Sequence, residues 1–61
     1  MTQFEIVRPQ TLTRVGVADT FDGALDFAGR EVIERELPGL IVIFEGQTVA
    51  LVDEHGDAHE V

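Results

Sequence analysis

The sequence predicts an α+β fold: one amphipathic helix packed on a small antiparallel sheet of three to five strands, in the order β(β)αβββ. Three observations predict it. Residues 3–7 alternate apolar and polar, which is the two-residue period of a half-buried strand. Residues 20–36 repeat their apolar positions with the 3.6-residue period of a helix. Two β-rich runs, Leu40–Phe44 and Thr48–Asp53, flank a glycine-centred turn and read as a hairpin.

Taken in order, Gln3-Phe4-Glu5-Ile6-Val7 puts Phe4 and Ile6 on one face, and Pro9, with no N–H to give a ladder, ends the strand. Leu12–Val17 is β-branched but weakened by Gly16, so residues 8–18 read either as a second strand or as an arm. Asp19 or Thr20 offers a helix N-cap. Phe21, Ala24, Leu25, Ala28 and Val32 then fall within an arc of about 100°. Asp26, Arg30 and Glu34 follow one another at spacing four on the opposite side, and Glu31 and Arg35 make a similar pair. Leu37-Pro38-Gly39 stops the helix, because proline cannot continue it. Gly29 inside the helix is either an accident of drift or the mark of a close backbone approach. In the hairpin, a two-residue turn at either Glu45-Gly46 or Gly46-Gln47 sets Leu40, Val42, Phe44, Val49 and Leu51 on one face. Ile41, Ile43, Thr48, Ala50 and Val52 share the other. Asp53–Asp57 is turn chemistry, and Ala58–Val61 returns as a short last strand.

A chain of 61 residues makes one domain, residues 1–61, with a small core and no cysteine to staple it. Both hairpin faces are apolar, whereas a single helix covers only one. The expected cover for the second face is another polypeptide, through Ile41, Ile43 and Val52. Phe27 and Ile33, about 120° to either side of the helical stripe, are expected to join that partner interface. The competing arrangement folds Leu12, Val15 and Val17 over the second face from within the chain.

The formal net charge is −8, from 12 acids and 4 arginines. Residues 31–61 carry eight of the acids and one base. Such a chain repels phosphates and lacks a basic patch, so direct nucleic-acid binding is not expected. An acidic excess with arginine but no lysine resembles the composition of halophile proteins, and arginine-rich usage also follows from GC-rich genomes. The longest apolar run, Leu40–Phe44, is far too short to cross a membrane. Met1-Thr2-Gln3-Phe4-Glu5 lacks the layout of a signal peptide, so the expected location is the cytoplasm or the inside of a virion or other assembly.

Catalytic chemistry is sparse. Serine, cysteine and lysine are absent, and no glycine-rich phosphate loop is present. No catalytic residue, cofactor or metal site is expected. His55 and His59 stand four apart among Asp53, Glu54 and Asp57, but in a strand that spacing separates them by about 13 Å, too far for one ion.

Two functions fit these residues. One is a non-enzymatic structural or interaction protein, a small accessory subunit of a larger assembly such as a virion or phage particle, held by its apolar sheet face to its own copies or to a different protein. The other is an acidic inhibitor that imitates DNA phosphates with Asp22, Asp26, Glu34, Asp53, Glu54 and Asp57 and occupies a nucleic-acid-binding enzyme. In size and charge the chain resembles anti-restriction and anti-CRISPR proteins. An antitoxin or regulator fragment ranks third, since a basic recognition element is missing.

Overall fold

The computed structural model describes residues 3–61; Met1 and Thr2, part of the stretch read for a signal layout, lie outside the described residues. One helix packs on one face of a five-stranded antiparallel sheet. The strands are β1 (Phe4–Val7), β2 (Arg14–Ala18), β3 (Gly39–Phe44), β4 (Gln47–Asp53) and β5 (Ala58–Glu60), and the helix α1 spans Phe21–Arg35 between β2 and β3. Their order across the sheet is β2-β1-β3-β4-β5. The strand that comes first in sequence thus lies inside the sheet, paired on both sides. Residues 8–18 resolve into a loop and an edge strand: Arg8 N–H donates to the Thr13 carbonyl (2.9 Å) and Leu12 N–H to the Arg8 carbonyl (2.7 Å) before β2 begins.

Local chemistry sets each boundary of α1. Thr20 is the N-cap, and its hydroxyl accepts the Gly23 N–H at 3.0 Å, satisfying one of the helix's free donors. Asp22 in the first turn and Arg35 in the last both complement the helix dipole. Glu36 turns left-handed (φ 53°, ψ 48°), and the Leu37 N–H closes on the Val32 carbonyl at 3.0 Å, one residue ahead of Pro38.

The core lies between helix and sheet. Ala24, Ala28 and Val32 of α1 are buried against Ile6 of β1, Leu40 and Val42 of β3, and Ala50 and Val52 of β4. Three alanine or valine positions on the helix allow it to sit close to the strands, and the bulk comes from the sheet side. At one end Phe4 stacks on Phe44 (ring centroids 4.3 Å apart) and meets Phe21 at 5.7 Å.

Gly29 marks a close approach. A Cβ there would lie 3.1 Å from the carbonyl oxygen of Gly56, in the turn before β5, and a Cβ on Gly56 would lie 3.3 Å from the Gly29 carbonyl oxygen. The helix backbone therefore rests on the backbone of the last turn, and a side chain at either position would push them apart.

The face assignment of the hairpin differs from the sequence expectation. Of the two expected turns the structure has Glu45-Gly46, with Phe44 opposite Gln47 and both turn residues at positive φ (53° and 78°), the twisted two-residue turn that hairpins favour. Beyond it the register shifts: Ile43 pairs with Thr48, but Val42 pairs with Ala50, leaving Val49 as an extra residue. A one-residue bulge exchanges the faces of everything that follows. Ala50 and Val52 consequently turn under the helix, and Leu51 takes the opposite face beside Ile41.

Candidate interaction surface

The register defines what faces away from the helix. Glu5 and Val7 of β1 pair with Ile43 and Ile41 of β3; Ile41 pairs with Leu51 of β4, and Leu51 with His59 of β5. On the other side Glu5 pairs with Val17 and Val7 with Arg14 of β2. One row therefore reads Arg14, Val7, Ile41, Leu51, His59, and the row beside it reads Val17, Glu5, Ile43, Thr48. In the first row apolar side chains occupy the middle and polar ones the margins; in the second, Glu5 stands between Val17 and Ile43.

Exposure along these rows is uneven. Leu51 is 48% exposed and Val17 41%, Ile41 and Ile43 are half-buried, and Val7 is covered by its neighbours. Val7 is the one core-type residue of the sheet that stands outside the cluster beneath the helix. Rather than folding over this face, β2 lies in the plane of the sheet as its edge, and Leu12 is 70% exposed.

Of the five residues expected at a partner interface, Ile41 and Ile43 stand on the open face. Val52 does not; it is 2% exposed beneath α1, because the Val49 bulge turns it there. Phe27 is also drawn inward. Its ring lies over Gly16 of β2, where a Cβ would come within 2.6 Å of the Phe27 Cζ, and it packs against the core cluster. Ile33 is exposed but sits on the helix beside Gly56, on the other side of the sheet from Ile41 and Ile43. Leu51 is the residue that sequence reasoning missed. The sequence carries no local sign of it, because Thr48-Val49 reads as ordinary strand until the pairing of Val42 with Ala50 is known.

The two carboxylates of the open face are both engaged by groups of their own chain. Glu5 and Asp53 are the acids that the strand register places there. Glu5 meets the Arg14 guanidinium at 3.6 Å, and one oxygen of Asp53 meets His59 Nε2 at 2.8 Å. The other Asp53 oxygen accepts the backbone N–H groups of His55 (2.9 Å) and Asp57 (3.1 Å), so this carboxylate ties together the turn between β4 and β5. The His59 hydrogen bond is the largest influence on Asp53 and holds its carboxyl below the ordinary value, with the two backbone donors adding to it against a partial desolvation that works the other way.

The remaining acidic residues of interest are scattered. Asp26 is engaged by Arg30 one helical turn on, and Glu31 by Arg35 at 3.0 Å. Asp22 lies in the first turn of α1, Glu34 is exposed near its end, and Glu54 and Asp57 lie in the last turn. Glu54 stands 3.8 Å from the exposed His55. Among the described residues no group of histidines and carboxylates is placed to hold a metal ion. A groove beside β2, lined by Gln3, Arg14, Val15, Gly16 and Val17, has a volume of about 270 Å3 and contains neither a carboxylate nor a histidine. Among the described residues no helix is long and apolar enough to cross a membrane.

No protein-family model, curated protein or solved structure matches this chain.

Proposed function

We propose that this protein is a non-enzymatic interaction protein, a small accessory subunit that joins a larger assembly, of the virion or phage kind, by covering the open face of its sheet. The observation that carries this reading is the apolar patch on the face away from the helix, where Leu51 is exposed and Ile41 and Ile43 are half-buried. A wet sheet face ordinarily alternates to polar residues, and a chain of this size gains stability by burying what it cannot cover alone. The lack of serine, cysteine and lysine nucleophiles supports a binding role rather than a catalytic one.

The phosphate-mimic reading draws less support from the geometry. A mimic presents free carboxylates in rows, whereas Asp26 is occupied by Arg30 and Asp53 by His59 and its own turn. One experiment separates the two. Tagged chain is sedimented with the high-molecular-weight fraction of its source cell in low and in molar salt. Docking by the sheet predicts that Leu51→Glu abolishes co-sedimentation and that salt does not. Capture that survives Leu51→Glu but collapses in salt, or on neutralising Asp22, Asp26 and Glu34 together, overturns the proposal in favour of the acidic surface.

A further inference from the structure

We infer that the partner fitted to the open sheet face is a second copy of this chain, docked face to face, with the two helices on the outside. The inference rests on the reading of that face as a docking surface and adds the occupant.

Charge placement carries it. Two chains of −8 repel each other, so any self-association must keep their acids apart. The open face is where acids are few: Glu5, which meets the Arg14 guanidinium at 3.6 Å, and Asp53, which is hydrogen-bonded to His59 at 2.8 Å and to two backbone N–H groups of its own turn. A face with only two carboxylates, both already engaged within the chain, attracts a basic partner less than the acids of α1 and the turns do. It sets few like charges against those of its own copy. Stacked sheets lie about 10 Å apart, and each helix lies roughly one further layer out, so the helices of such a pair would be about 30 Å from each other. That is more than three Debye lengths of about 8 Å at physiological salt. Joining two copies edge to edge would instead set the helices side by side on one surface, with Asp22, Asp26 and Glu34 of each facing the same solvent.

The area sets the strength. Five strands at about 4.8 Å and some five residues at about 3.4 Å make a face of roughly 400 Å2 per copy. The pair would bury roughly 800 Å2, about half of a standard interface. This corresponds to a reversible dimer that depends on concentration, not an obligate one.

Sedimentation equilibrium from micromolar to millimolar protein, in low, physiological and molar sodium chloride, tests it. The expected result is a monomer–dimer equilibrium that tightens as salt rises, because screening removes the repulsion while the apolar contact stays. Leu51→Glu is expected to weaken the dimer at least tenfold with an unchanged circular dichroism spectrum. Leu51→Thr, which suits a strand, is expected to weaken it severalfold and serves if the glutamate variant unfolds. A wild-type chain that stays monomeric at millimolar concentration in molar salt overturns the inference, as does a dimer that salt weakens or that Leu51→Glu leaves intact. Binding of an apolar dye, compared between wild type and Leu51→Glu, keeps the two readings apart. Dye binding that Leu51→Glu abolishes, found with a persistent monomer, removes the second copy but keeps the docking face; absence of dye binding to the monomer removes both.

Discussion

Exchanging two neighbours in β4 for alanine tests the bulge at Val49 directly. Val52→Ala removes two methyl groups from a side chain that is 2% exposed between β3 and the helix. At about 0.8 kcal/mol per buried carbon, with a further cost for the cavity, the loss comes to about 2–3 kcal/mol. Leu51→Ala removes three carbons, but from a residue that is 48% exposed on the open face, where no cavity is left. Its cost in the monomer is about 1 kcal/mol. A domain of this length holds only about 3–9 kcal/mol in total, so the valine change consumes a large share of it. Urea unfolding followed by circular dichroism, in dilute protein and low salt, should show the difference. With a slope of roughly 1 kcal/mol per molar urea, Val52→Ala lowers the midpoint by about 2 M or more and Leu51→Ala by about 1 M or less. Without the bulge the two residues would exchange faces. A Leu51→Ala variant that costs as much as Val52→Ala therefore refutes the register and the open face with it.

Three further outcomes are expected. Thr20→Ala removes the hydroxyl that caps Gly23 and should cost about 1 kcal/mol, lowering the thermal midpoint by about 4–8 °C, while Thr20→Ser should restore most of it. Gly16→Ala places a Cβ within 2.6 Å of the Phe27 ring and should cost about 1–3 kcal/mol in urea unfolding; pairing it with Phe27→Leu should cost less than the two changes summed. The Asp53 carboxyl is held below its ordinary 3.8 in the folded chain, so its contribution to stability is complete above that value and disappears as pH falls through the lower folded one. Thermal midpoints measured from neutral to acid pH should therefore fall less steeply for Asp53→Asn than for wild type, and an unchanged slope would remove Asp53 from that role.

Elements held together by near neighbours were legible in the sequence, and relations between distant elements were not. The helix could be placed at 20–36 because its apolar period, its capping threonine and Pro38 all act within a few residues, and α1 spans Phe21–Arg35 with Thr20 as its cap. The hairpin was legible for the same reason, since Gly46 marks a turn by itself, but the choice of Glu45-Gly46 over Gly46-Gln47 comes from the pairing of Phe44 with Gln47. The bulge was not, because Val49 looks like any strand valine until Val42 chooses Ala50 as its partner. Phe27 was misplaced because a helical stripe counts angles about one axis and ignores reach: its ring extends to β2 and fills the space that Gly16, lacking a side chain, leaves free. That glycine looked like a weakness of its strand and is instead the seat of an aromatic ring. Gly29 left two explanations open, and only the backbone of the distant Gly56 decides between them.

The interior position of β1 has a consequence for synthesis. Chains leave the ribosome from the amino end, and β2 can pair with β1 at once. The other edge of β1 has to wait until the whole helix and Gly39–Phe44 have emerged. At about 5–20 residues per second that delay lasts a few seconds. Through that interval the nascent hairpin carries an open ladder of backbone donors and acceptors beside Ile6 and Val7, an edge of the kind that pairs with other chains until β3 closes it.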